Sequence, residues 1–467
     1  MNDESLTLER AVAQFVVNFG SRDLDSVSRD AVKKLIKDQL AIQVGASRLP
    51  WSKQVREFRN PRPGGATIVG ESIKAAAADA AYLNATYGHG FEYDDFIGNA
   101  HPGCCVVPTA LAIAEEIGAP LEQAVVALAV AYETYARIGR LGSPDLLNAG
   151  WQSHSVLANF GAAALAAKLY GLDVERTLHA LAIALSHAGG TTEYASTGGS
   201  IKRVHAGIAV RNGIESAALA RAGITGPLRF LTGNRGLYRN FCRKAVGDEA
   251  ITEFLPGAAL MLPQMMFKAY CCCALTHSYI EAMAEVRGRA PDIVEVHAKI
   301  QTMTDAVVGN RNAHIYQPRN IEELQYSLPV QMALSALDLG NGYKTHRDFM
   351  DGRLQLPPGG EVIQLARLIK LEVSRELDEK YGLVFVADVT VHYRDGTKQH
   401  IFVERATGSP NRPFTPEQHQ AKLDELTDDV IGRPRARQLW QLIDRLEPST
   451  LVAAITSLLQ PAEEVQP

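Results

Sequence analysis

Nothing in the chain is apolar for long enough to cross a membrane: no window reaches the roughly 18 uninterrupted apolar residues that a spanning helix needs. Basic residues are in no excess, with 47 Lys and Arg against 52 Asp and Glu, and no Lys/Arg-rich run marks a nucleic-acid face. Cysteine is scarce and poorly spaced for metal chemistry. The six are Cys104, Cys105, Cys242, Cys271, Cys272 and Cys273, and no C-x-x-C occurs among them. That spacing argues against zinc and iron–sulfur sites, and adjacent reduced thiols suit a cytosolic protein. The opening MNDESLTLERAVAQFV is polar and reads as a capped helix, without the apolar core of a secretory signal. No repeat of fixed period marks a solenoid. The expectation is a cytoplasmic protein with no metal, no membrane partner and no nucleic acid.

What remains is a chain of 467 residues, 46% hydrophobic and 21% charged, which suffices for a large core. Its first half is rich in Ala and reads as successive helices over 105–118, 121–138, 157–170, 173–187 and 205–223, each with apolar residues three and four apart. Small side chains on those faces predict close helix–helix approach. The pattern changes near residue 290. PDIVEVHAKIQT alternates in the manner of a strand, LEVSREL at 371–377 is β-rich, and 385–408 reads as a hairpin turned by Arg394-Asp395-Gly396. Helices resume from 415. The fold class expected is therefore mainly α: a large all-helical domain plus a smaller α+β domain. The limits are 1–270 for the first helical part, 271–410 for the α+β part, and 411–467 for C-terminal helices returning to the helical domain.

Four segments carry candidate chemistry. EYDDFIGNAHPG supplies Glu92, Asp94, Asp95 and His101, with His89 just before it. GWQSHSV places His154 ahead of an Ala-rich helix, STGGSIKRVHAG holds Lys202 and His205, and FKAYCCCALTHSY holds Lys268, Cys273 and His277. Taken singly, such loops are solvated turns, such histidines satisfied core residues and such cysteines small apolar packing. Taken together, Lys and His recur where Ala-rich helices begin. Helix starts bring free N–H groups and partial positive charge, so the set suits an anionic substrate. The carboxylates and imidazoles add groups that move protons.

These residues carry a resemblance. The chain is similar to the MmgE/PrpD family, which includes 2-methylcitrate dehydratase, cis-aconitate decarboxylase and iminodisuccinate epimerase. Its marks are GHGFEYDD and HPG, PTALAIAE at 108–115, GWQSH with FGAAALAAKL at 160–169, KRVHAGIAVRNG leading to AGITGP, FKAY, and QYSLP at 325–329. The resemblance implies a smaller α+β lid like chorismate mutase, a site between the domains, a homodimer, and no cofactor or metal. It also implies that Glu92, Asp94, His101, His154, Lys202 and Lys268 line the pocket, with His205 orienting its helix start. Measured against the family pattern, Glu92 replaces an Asp, Phe96 a Thr and Cys273 a His, while His277 is retained.

The chemistry so implied is abstraction of a proton α to a carboxylate of a small di- or tricarboxylate. Lys202 and Lys268 would hold the substrate and stabilise the enediolate. His154 would be the general base or acid, His101 the second proton carrier, and Asp94 an orienting group. Cys273 and His277 would complete the pocket. A hydro-lyase of the 2-methylcitrate type is the first expectation. An epimerase of an iminodisuccinate-type dicarboxylate, a cis-aconitate-type decarboxylase, and a non-catalytic ligand-binding scaffold are the alternatives.

Overall fold

The computed structural model describes residues 6–98, 100–194 and 199–461. Ser196, Thr197 and Gly198 of the STGGS stretch, and the last six residues, lie outside the described residues.

The Ala-rich half folds as expected. Its helices are Ala77–His89, Gly103–Glu116, Leu121–Gly142, Ser153–Leu169, Val174–Leu185 and Lys202–Arg221. The Ser153–Leu169 helix is buried from Ser153 through Ala167, so it forms the axis around which the others pack. Lys202–Arg221 lies against both Ser153–Leu169 and Ala77–His89. Small residues permit this. A Cβ on Gly213 would stand 2.5 Å from the Ala162 methyl and 2.7 Å from the Asn159 carbonyl oxygen, so only glycine admits the two backbones at this separation.

The change of pattern near residue 290 marks a four-stranded sheet. After a short hairpin of β1 (Pro63–Thr67) and β2 (Lys74–Ala75), the strands are β3 (Ile293–Ile300), β4 (Ile369–Val373), β5 (Ala387–Tyr393) and β6 (Lys398–Val403), in spatial order β4-β3-β5-β6. β3 runs parallel to β4 and antiparallel to β5. β5 alternates buried and half-buried residues along its length and pairs with β6 across the Asp395-Gly396 turn. The LEVSREL stretch departs from its β-rich reading. Ser374 accepts a hydrogen bond from the Leu377 N–H and opens a helix over Arg375–Tyr381, so side-chain capping ends β4 midway through the segment. Near the C-terminus, Thr415 and Gln418 form a reciprocal capping box that starts the Pro416–Thr427 helix, which packs on the Ser26–Ala46 helix of the N-terminal half.

The close approach at Gly213 yields a direct test. Gly213→Val should lower the unfolding free energy by roughly 1–3 kcal/mol, the usual cost of overpacking. Urea denaturation measures this, and wild-type stability in the variant would contradict the packing described.

Candidate functional site

Helix ends build the site. His89 is the last residue of Ala77–His89, His154 the second of Ser153–Leu169, and Lys202 the first of Lys202–Arg221. The EYDD loop runs between them. An antiparallel bridge holds it in place: Phe96 N–H donates to the Met266 carbonyl at 2.8 Å and Met266 N–H returns to Phe96 at 2.9 Å. That bridge lays the 266–268 segment along the loop and delivers Lys268 to Glu92. Lys422, from the returning C-terminal helix, donates to the Tyr93 carbonyl at 3.0 Å and pairs with Asp38 at 2.7 Å.

Glu92 is the centre of the cluster. It is buried and adopts φ of +57°, a left-handed conformation rare outside glycine and common where a site holds its backbone under constraint. One carboxylate oxygen contacts the Lys202 ammonium and accepts from the Tyr326 hydroxyl at 3.2 Å. The other accepts from Lys268 at 3.1 Å, and Lys268 also donates to the Glu92 carbonyl at 3.2 Å. Burial, with Lys268 nearby, pushes the Lys202 ammonium well below the usual lysine range, which makes its proton easier to give up.

Asp94 lies one residue deeper and is fully buried. Burial favours its acid form, but His101, His89 and Lys268 facing it outweigh that and hold it well below the usual carboxylate range. It accepts from His89 Nδ1 at 2.8 Å, lies 3.3 Å from His101 Nδ1, and stands 3.7 Å from Lys268 Nζ. The bond from Nδ1–H fixes His89 in one tautomer and leaves Nε2 with a lone pair. Nε2 of His89 is buried and has no hydrogen-bond partner among the described residues. Burial brings the imidazole down to about 3, so it is neutral at physiological pH.

Beside this cluster lies a cavity of about 440 Å³. One wall carries His89, Glu92, Tyr194, Lys202 and Arg203; the opposite wall comes from the 312–326 segment, with His314, Arg319, Glu322, Glu323 and Tyr326. The lining is balanced in charge. Arg203 stacks on Trp51, 3.7 Å from Arg203 Cζ to the ring centroid, and pairs with Glu322 at 2.9 Å; Arg319 pairs with Glu323 at 2.6 Å.

The expected residues are thus not all equivalent. Glu92, Asp94, Lys202 and Lys268 meet as expected. His154 is fully buried one layer behind His89, its ring centroid 4.6 Å away. Its Nδ1 lies 2.9 Å from the Tyr135 hydroxyl and its Nε2 3.6 Å from Cys104 Sγ, and it is absent from the cavity wall. His101 lies beside Asp94 and is partly exposed on its other side. His205 is buried, its Nδ1 without a partner among the described residues, and its ring is 6.1 Å from Tyr194. Cys273 donates its N–H to the Gln325 carbonyl, and His277 faces the Cys272 carbonyl at 3.4 Å from Nε2; neither borders the cavity. Phe96, where the family pattern has Thr, stacks against Phe385 at 6.4 Å and belongs to the seam between the loop and the sheet region. The reading from sequence passed over His89 as a site residue. Its signal is the five-residue spacing to Asp94 across a helix end. Arg319 offered none, because a stretch without a motif more than two hundred residues away supplies it, whereas Tyr326 falls in the QYSLP mark without being singled out.

Asp95, adjacent to the cluster, anchors the next helix. Its carboxyl accepts from the Gly103 N–H at 3.1 Å and from Gln39 at 3.3 Å. A Cβ on Gly103 would fall 1.9 Å from Asp95 Oδ1, which accounts for the glycine of the HPG triplet. Burial, with Asp94 and Asp38 nearby, pushes Asp95 up to about 7. The folded value therefore lies above the unfolded one. This group's stabilisation is complete below about pH 4 and is lost as pH rises towards about 7, a change of roughly 4 kcal/mol. Asp95→Asn should remove that dependence: stability closest to wild type below about pH 4, and greater stability near pH 8, where about the full difference is recovered. Urea midpoints across this range are the measurement, and parallel curves for the two proteins would refute the assignment.

The comparisons with known proteins agree with this architecture. The MmgE/PrpD N-terminal domain matches residues 10–248 and the MmgE/PrpD C-terminal domain residues 270–448. The chain is 27% identical over 475 residues to a cis-aconitate decarboxylase of Aspergillus terreus, covering 96% of this chain and 95% of that protein. It is 26% identical to the cis-aconitate decarboxylase-like protein oryM of Aspergillus oryzae, over 96% of both chains. The Homo sapiens cis-aconitate decarboxylase is 25% identical over 410 residues, covering 84% of this chain and 82% of that one. With both of its domains matched in order along the chain, the protein belongs to the MmgE/PrpD family.

Proposed function

We propose that the protein is a cofactor-independent lyase that eliminates water from a small hydroxy-tricarboxylate by abstracting a proton α to a carboxylate. The observation that carries this reading is His89: a buried, neutral imidazole fixed at Nδ1 by Asp94, its Nε2 without a hydrogen-bond partner among the described residues, in the wall of a cavity that Lys202 also lines. The arrangement pairs one base with one acid. Nε2 takes the α-proton, the electron pair moves into the adjacent carboxylate as an enediolate, and Lys202 and Lys268 stabilise that charge. The pair then expels the β-hydroxyl, which leaves as water with a proton from Lys202. Its lowered proton affinity suits that role.

Glu92 keeps the two lysines apart and partly neutralised until substrate arrives. A polycarboxylate entering the cavity exchanges with Glu322 and Glu323 for Arg203 and Arg319. His154, His101 and Tyr135 support the dyad from behind. The proposal carries over from the family resemblance a homodimeric assembly, a cytoplasmic location, no cofactor, and domain limits near 270 and 410.

A second reading is decarboxylation of an unsaturated tricarboxylate, and the names of the full-length relatives favour it. There the C–C bond to the departing carboxylate breaks, its electrons enter the same enediolate, and one proton is delivered to carbon for each CO2 released. Incubation with hydroxy-tricarboxylates and with cis-aconitate separates the two. Dehydration forms a conjugated double bond with loss of water and no CO2, whereas decarboxylation releases CO2. Exchange of the α-proton with deuterium oxide and return of starting mass would point instead to an epimerase. In either lyase, His89→Gln should lower kcat by about 10²–10⁴-fold, the usual contribution of a positioned base or acid. KM should change little. Retention of near-normal turnover would remove His89 from the mechanism.

A further inference from the structure

We propose that His89, His154 and Cys104 form a binding site for a soft divalent ion such as Zn²⁺, and that filling it shuts off the enzyme. The three offer ligand atoms all within 4.8 Å of one another, and all three residues are buried. The sequence shows no such motif because each residue comes from a different helix end: the last of Ala77–His89, the second of Gly103–Glu116 and the second of Ser153–Leu169. Cys104 Sγ stands 3.6 Å from His154 Nε2. In a tetrahedral zinc site with Zn–S of about 2.3 Å and Zn–N of about 2.05 Å, the sulfur and nitrogen lie about 3.6 Å apart.

The surroundings match what zinc histidines use. A ligating imidazole normally hands its other nitrogen to a carboxylate or hydroxyl, which fixes its orientation. His89 already does so with Asp94 at 2.8 Å, and the Tyr135 hydroxyl lies 2.9 Å from His154 Nδ1, placed to accept from it. The Nε2 of His89 is buried and has no hydrogen-bond partner among the described residues, so a lone pair stands ready. His154 shifts its proton to Nδ1, where the Tyr135 oxygen accepts it. The thiol loses its proton to solvent as the metal–sulfur bond forms, so each ion bound releases one proton. Of the three residues, His89 lines the cavity, which gives the ion a path to the site.

The inhibitory half of the proposal rests on His89 as the base, since the ion takes the same Nε2 lone pair. The binding half does not, and the experiment separates them. Co²⁺ is added to the full chain and the near-ultraviolet spectrum recorded, then turnover is measured against Zn²⁺ with and without chelator. The expected result is one ion per chain, a thiolate-to-cobalt charge-transfer band, and chelator-reversible loss of activity. Cys104→Ser should keep basal turnover, lose the band, and need at least about tenfold more Zn²⁺ for half-inhibition. X-ray absorption of the zinc-loaded wild-type protein, which needs no variant, should show one sulfur among nitrogen ligands. A spectrum without sulfur, or a Cys104→Ser protein as sensitive as wild type, overturns the site. A charge-transfer band with undiminished turnover overturns the inhibition and the role of His89 while leaving the metal site in place.

Discussion

A single buried carboxylate, Glu92, shared between two lysine ammoniums is the constraint on which the site depends. Neither lysine could be buried alone, and neither could Glu92, because an isolated ion in an apolar interior costs several kcal/mol or more. Each needs the others, and each comes from a different part of the chain. Lys202 is set by the start of a helix whose small residues let it pack closely on its neighbours, and Lys268 by the backbone bridge between Phe96 and Met266. Removing one member leaves a buried charge unpaired, at about 3–5 kcal/mol. The left-handed backbone at Glu92 persists because this network over-determines it.

From that centre the rest follows in layers. Asp94 compensates Lys268 and orients His89; His101 and His154 pack around the dyad; burial pushes Asp95 towards its neutral form. Burial, which makes these groups costly, also sets their chemistry. It keeps His89 neutral and makes Lys202 a readier proton donor, the properties the proposed base and acid require. The two walls supply Arg203 and Arg319, whose partners Glu322 and Glu323 both come from the 312–326 segment.

Much of this was legible in the sequence, and the reasons for the remainder are physical. The Ala-rich periodicity and the Asp-Gly turn report local geometry, so the helices and the β5–β6 hairpin could be read directly. LEVSREL could not, because one serine side chain capping a helix outweighs β-propensity over three residues. Glu92, Asp94, Lys202 and Lys268 stood out because the resemblance to the MmgE/PrpD pattern marks the segments that carry them. The choice between His89 and His154 did not, since residue type does not say which of two stacked imidazoles faces a cavity and which backs onto a tyrosine and a cysteine. Phe96 reads as a substituted pocket residue in one dimension and packs on Phe385 in three.

The central claim is that a carboxylate of the substrate meets Lys202 while its α-carbon faces Nε2 of His89. A crystal structure with a bound tricarboxylate tests it most directly. The account expects one carboxylate within hydrogen-bonding distance of Lys202, a second drawn to Arg203 or Arg319, and the α-carbon over His89. A tricarboxylate seated elsewhere, for instance in the apolar groove beside Ser143 and Pro144, with Lys202 and His89 untouched, would contradict it.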